Sequence, residues 1–402
     1  MNIIQRLTAI GPGTMVAAAF IGPGTLTTAS VTGAQFGYAL LWTIAFSIIA
    51  TIVLQEMSAR LGLISGEGLG EALRERFDNP IVEFVSIFLV LGAIGVGTAA
   101  YEAGNLLGGA AGLATITGVS STLWGVVMGL VAGLLLFTGQ YKVIERALVG
   151  LVVIMAISFV ASAILIGPDV GAIFAGFVPE IPSGSLYLIT GLIGTTIVGY
   201  NLFLHASNVQ ERWSGPGDLP KSRTDTILSI VVGGFITLTI MITAAAAFET
   251  GTQIRDVGQM AEQLKPLAGP YAELFFSIGL FAAGFTSATT APLAGAWATM
   301  GALGWDSDMK SVKFRAVWGG IITVGVVSVL RGGSPVEVIV FAQVVNGILL
   351  PIVTVFLIYA MNQDDLLGQY TNGPVTNALG AVVTVIVVWL GVRALLSVVG
   401  VI

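Results

Sequence analysis

Stretches of apolar, uncharged sequence long enough to cross a bilayer recur along almost the whole chain, and this recurrence constrains the fold more than any other feature. About 20 apolar residues at 1.5 Å rise span the roughly 30 Å hydrocarbon core. Eleven such windows can be placed, near residues 9–36, 38–62, 81–112, 120–138, 143–167, 186–212, 224–249, 270–303, 314–331, 335–361 and 374–400. In hydrocarbon every backbone amide and carbonyl must be satisfied by protein, so windows of this length form helices. Segment 63–77, with Glu67, Glu71, Arg74, Glu75 and Arg76, is polar on one side and reads as an interfacial helix. Loop 250–269 is the longest hydrophilic excursion. The expectation is one all-α polytopic membrane domain covering residues 1–402.

Composition matters here for what it excludes. Only 9% of residues are charged, against about a quarter in soluble domains, and the mean hydropathy is +0.94. With no cysteine among 402 residues, disulfides and thiolate metal sites are impossible. A net charge of -6 without a basic cluster leaves no surface for nucleic acid. The first apolar segment is followed by many others and reads as a retained span, not a cleaved leader. The implied partners are the lipid bilayer and a small solute or divalent cation. No cofactor motif is present, and the sequence leaves the oligomeric state open.

Two interruptions mark the functional centre. Ile21-Gly22-Pro23-Gly24-Thr25 breaks the first window near its middle, and Val198-Gly199-Tyr200-Asn201 breaks the sixth at equivalent depth. Proline removes a donor and glycine eases departure from α geometry, so freed carbonyls and amides must find protein, water or solute. Matched breaks in two halves of a membrane protein point to a transporter site at the bilayer midplane. Gly22, Thr25, Thr195, Val198, Tyr200 and Asn201 are the expected lining, with unpaired carbonyls facing a central cavity. Gln343 and Asn346, three residues apart on one face of the tenth window, either face that cavity or bond between helices.

Ionisable groups inside spans are costly unless paired or wetted. Glu102, with Asn105 near it on the third window, and His205, the only histidine, are candidates for a proton or water path or, equally, for packed hydrogen-bonding roles. Glu56 with Arg60 and Glu145 with Arg146, near inner helix ends, read as structural ion pairs. With a cytoplasmic N-terminus, the inner side holds twelve basic residues (Arg6, Arg60, Arg74, Arg76, Lys142, Arg146, Arg212, Lys221, Arg223, Lys310, Lys313, Arg315) and the outer side four (Arg255, Lys265, Arg331, Arg393). That bias predicts the N-terminus inside an inner (plasma) membrane and the C-terminus outside. Breaks in spans one and six imply a five-helix offset and therefore two inverted halves.

Several motifs resemble the NRAMP (natural resistance-associated macrophage protein) divalent-metal transporters. They are Thr32-Gly33-Ala34-Gln35-Phe36-Gly37-Tyr38, Leu54-Gln55, Ser58-Ala59-Arg60-Leu61-Gly62, Glu71-Ala72, Arg74-Glu75-Arg76, Gly176-Phe177-Val178-Pro179, Asn201-Leu202-Phe203-Leu204-His205 and Gln343-Val344. The resemblance runs from residue 11 to about 351. It implies a LeuT-type fold with inverted five-plus-five repeats, about 9–167 and 186–361, and an extra helix at about 374–400. It also implies a divalent metal cation as substrate.

At the site the chain departs from that family. The family's Asp-Pro-Gly-Asn reads Gly22-Pro23-Gly24-Thr25, its Met-Pro-His reads Val198-Gly199-Tyr200, and its third-span acidic pair reads Glu102 and Asn105. The carboxylate, amide and thioether that the family uses for manganese or iron are replaced, whereas His205 and Gln343 keep family positions. Three readings stay open: a secondary transporter of a divalent cation, such as hydrated magnesium held by Thr25, Asn201, Gln343 and carbonyls; a transporter of a small organic solute beside Tyr200 and Phe285; or a non-transporting sensor or scaffold. An enzyme is not expected, because neither His-Glu-x-x-His nor Gly-x-Ser-x-Gly occurs.

Overall fold

The computed structural model describes residues 21–74, 80–139, 142–306 and 308–398. Residues 9–20 of the expected first span, Arg6, Glu75, Arg76, and the side chains of Lys142, Glu145 and Arg146 lie outside the described residues. The long helices are α1 (Pro23–Phe36), α2 (Leu41–Ser65), α3 (Pro80–Thr117), α4 (Ser121–Thr138), α5 (Lys142–Ile166), α6 (Leu186–Thr196), α7 (Gly199–Arg212), α8 (Leu219–Ala247), α9 (Ala272–Leu303), α10 (Val312–Arg331), α11 (Pro335–Ala360) and α12 (Pro374–Val398). Ten segments among the described residues are long and apolar enough to cross a membrane, with α6 and α7 together forming one of them. The protein is an integral membrane protein, and α1 is the second half of the expected first span.

Helix ends follow local chemistry. α1 begins on Pro23, whose fixed φ and missing N–H suit the first helical position. α4, α10 and α11 are capped by Ser120, Ser311 and Ser334, whose hydroxyls accept amides of the first turn. α2 stops at Gly66, in the left-handed region with φ 72°.

Small residues then set how closely the helices lie. α3 and α9 pack over the most extensive interface, and a Cβ on Gly284 would fall 2.6 Å from the Gly109 amide nitrogen. Without side chains at these positions the backbones approach directly, which is how helices associate where lipid is as apolar as leucine. The broken span is the most enclosed: 89% of its window is buried, against 22% for the α4 span. The break between α6 and α7 thus sits inside the bundle, and α4 lies at its lipid edge.

Two polar segments pack back onto the bundle. In segment 63–77 a helix covers Leu69–Arg74 and packs against α9, with Leu69 and Ala72 fully buried. Gly70 makes this possible, since its Cα lies against the Gly301–Ala302 backbone. Loop 250–269 folds back into the protein: Gln263 is fully buried, and its amide donates to Ser30 Oγ of α1 at 2.8 Å. Ser162 of α5 donates to the Gln263 carbonyl at 2.7 Å.

Candidate functional site: two helix breaks joined by side chains

Gly22, ahead of α1, is extended (φ -91°, ψ -179°), and the chain leaves helical geometry at Ile197 and Val198 between α6 and α7. Neither α1 nor α7 has a side-chain cap. Each break therefore exposes the partial positive end of a following half-helix. All eleven residues singled out from sequence are buried, none more than 5% exposed among those with side chains.

The structure joins the breaks directly. Thr25, in the first turn of α1, and Thr195, in the last turn of α6, have hydroxyls 2.9 Å apart. From α11, Gln343 lies against Gly24, so closely that a Cβ on Gly24 would fall on its carboxamide. Its nitrogen donates to its own helix at Ile339 O, 3.3 Å away, and its Oε1 has no partner. One turn on, Asn346 Nδ2 donates to Gly194 O at 2.5 Å and to Ile197 O at 3.2 Å. One face of α11 therefore touches both breaks.

Two carbonyls at the second break, Gly194 O and Ile197 O, are not free, contrary to the sequence expectation. Gly194 O accepts Asn346 Nδ2 and also the Tyr101 hydroxyl, at 2.6 Å, which fills both of its lone pairs. Tyr101, on α3, also meets the Tyr200 ring edge-on, with centroids 5.7 Å apart. Sequence reading missed this role for Tyr101. The signal was available: a buried tyrosine hydroxyl in an apolar span needs an acceptor.

Asn201 is different. Both polar atoms of its side chain are buried without a hydrogen-bond partner, so it is the group at the breaks most in need of a ligand. The remaining candidates lie further out. Glu102 packs against Gly325 of α10, and its two carboxylate oxygens and Asn105 Nδ2 have no hydrogen-bond partner. His205 faces the other way and shares a 3.0 Å hydrogen bond between its Nε2 and Thr226 of α8, with Nδ1 left over. Glu102 and His205 thus face different helices. Among the described residues, no cluster of three or more His, Cys, Asp or Glu could hold a metal ion. The side-chain donors at the breaks are hydroxyl and carboxamide groups.

A broken span enclosed by a helical bundle and meeting a second break through side chains defines the class: a LeuT-fold membrane transporter. Solved structures agree on the fold. A manganese transporter from Eremococcus coleocola superposes with a TM-score of 0.80 at 21% identity, covering 98% of this chain and 87% of that one. MhsT in complex with L-phenylalanine gives 0.61 at 14% identity, covering 96% and 98%. The family is fixed by sequence. Residues 13–397 match the model of the natural resistance-associated macrophage protein-like family, and the chain belongs to that family, Nramp. Among its relatives are the divalent metal cation transporters MntH of Klebsiella pneumoniae, 30% identical over 98% of this chain and 96% of the relative, and of Deinococcus radiodurans, 29% identical over 95% and 88%. The protein is a transporter and not an enzyme.

Proposed function

We propose that this chain carries a divalent metal cation across the membrane by alternating access, around a site at the paired breaks. The observation that carries the reading is the Thr25–Thr195 contact, which makes one site of two breaks. The cargo class follows from the MntH relatives. Thr25, Thr195, Gln343 and Asn201 supply oxygen donors, with Gly22, Val198, Tyr200 and Asn346 completing the wall. Oxygen-only neutral donors suit a hard ion that keeps part of its water, as magnesium does, and disfavour selection by softness. Two charges crossing a 100 mV potential gain about 4.6 kcal/mol, so inward flux of such an ion needs no co-substrate.

In this reading residues 9–167 and 186–361 form inverted halves, 374–400 adds a last helix, and the N-terminus lies inside and the C-terminus outside. Glu102, Asn105 and His205 are the candidate proton or water path. A specific observation favours a second cargo, a small organic solute: the buried Tyr101–Tyr200 pair stands beside a site without carboxylates.

Uptake by proteoliposomes tests the proposal. Thr25→Ala and Asn201→Ala should each lower manganese or magnesium uptake while leaving the thermal melt intact; unchanged uptake in both removes the breaks from the cation path. Glu102→Gln should abolish any cation-driven acidification, and an intact proton signal would remove Glu102 from that path.

A further inference from the structure

We infer that Asn346 sets which cations the site accepts, by holding the carbonyl end of the broken span with its own amide. This rests on the divalent-cation reading above and adds a selectivity residue to it.

A helix ends with carbonyls that have no partner in their own helix, and the C-terminal end of α6 carries the negative pole of its dipole. At this end Gly194 O and Ile197 O converge on one point. A cation stripped of its water would be ligated by converging carbonyls of this kind, which are ordinary calcium ligands. Asn346 Nδ2 stands at that point, 2.5 Å and 3.2 Å from the two oxygens. Reversing the amide would set its oxygen against both carbonyls, so the nitrogen assignment follows from the contacts. The Tyr101 hydroxyl occupies the second lone pair of Gly194 O. The carboxamide is otherwise out of place, since Val344, Val345, Gly347 and Ile348 around it are apolar and Asn346 is 4% exposed. Its Oδ1 turns toward Gly97 and Gly199, into a cavity of about 10 Å³ lined also by Thr98 and Tyr200, the room of about one water.

The consequence is selectivity by subtraction. With Gly194 O and Ile197 O held by Asn346 and Tyr101, a cation at the breaks is denied these two carbonyls as ligands. Ions that shed water to gain carbonyl ligands lose that reward, and a strongly hydrated ion such as magnesium loses least.

The test is binding of manganese, calcium and magnesium chlorides to the purified full-length protein, by calorimetry and thermal shift. Asn346→Ala frees Ile197 O and one lone pair of Gly194 O and should tighten manganese and calcium binding at least tenfold, with magnesium changing less than threefold. If Asn346 only joined α11 to α6, the variant would lose stability without moving the ratio of the three affinities, and that result overturns the inference. Asn346→Asp keeps the shape but sets a carboxylate against the carbonyls, so its melt should rise with manganese by several degrees more than the wild type's. An equal response in the two proteins overturns the inference independently of how Asn346→Ala folds. If the wild type binds the ions and neither variant alters binding, only the inference falls. If no ion binds the wild type or either variant, the cation reading falls with it.

Discussion

The hydroxyls of Thr25 and Thr195 stand 2.9 Å apart although 170 positions separate them in the chain. The contact joins the start of α1 to the end of α6, so the two breaks share one polar centre.

That pair should behave as a coupled unit. A buried hydrogen bond contributes about 1 kcal/mol net, and valine keeps the shape of threonine without its donor. Thr25→Val and Thr195→Val are each expected to lose about 1 kcal/mol. A double-mutant cycle on the detergent-solubilised protein should give a coupling of about 0.5–1.5 kcal/mol. Strict additivity would show that the two hydroxyls do not act on each other.

Two glycines at the breaks should respond differently to the same methyl group. On Gly194 it would strike the main-chain carbonyl of Gln343, which cannot turn aside, whereas on Gly24 it would strike the flexible Gln343 carboxamide. Gly194→Ala should therefore cost the more, about 1–3 kcal/mol as overpacking does. Gly24→Ala should fold near normally yet transport poorly, because Gln343 must leave its place. Melting temperatures and proteoliposome uptake, measured on both variants, check the pair.

Far from the breaks, a buried arginine ties the start of the last helix to α2. Arg60, 4% exposed, donates to Glu56 at 3.1 Å, to Tyr370 O at 2.6 Å and to Asn372 Oδ1 at 2.7 Å. Glu56 also accepts from Arg223 at 2.8 Å. Arg60→Ala leaves Glu56 its second cation, so the loss should stay below the roughly 3–5 kcal/mol of a fully broken buried pair. The segment between α11 and α12 should become cleavable in limited proteolysis, and Asn372→Ala should do the same more weakly. Unchanged cleavage in both variants would show that this segment is held by other contacts.

Much of this was legible in the residues because it depends on local chemistry. Gly22-Pro23-Gly24 inside an apolar run states its own break, and four-residue spacing gives the Glu56–Arg60 pair. The ten spans among the described residues follow from length and hydropathy. What was not legible depends on how distant helices rotate about their axes. Tyr101 meets Gly194 from 93 positions away and Asn346 meets it from 152, and neither sequence neighbourhood names the other. The expectation of free carbonyls failed at Gly194 and Ile197 for this reason: their partners come from α3 and α11. The charges of segment 63–77 were visible in the sequence, whereas the fit of Gly70 onto α9 was not.

The central claim is that a divalent cation crosses the membrane through a site of neutral oxygens. The most direct measurement is manganese and magnesium flux into proteoliposomes holding an inside-negative potential, compared with protein-free vesicles and with the Thr25→Ala protein. The account predicts saturable, potential-driven flux of at least one ion, with magnesium favoured, that falls at least tenfold in Thr25→Ala. Flux of both ions no greater than in protein-free vesicles would contradict it.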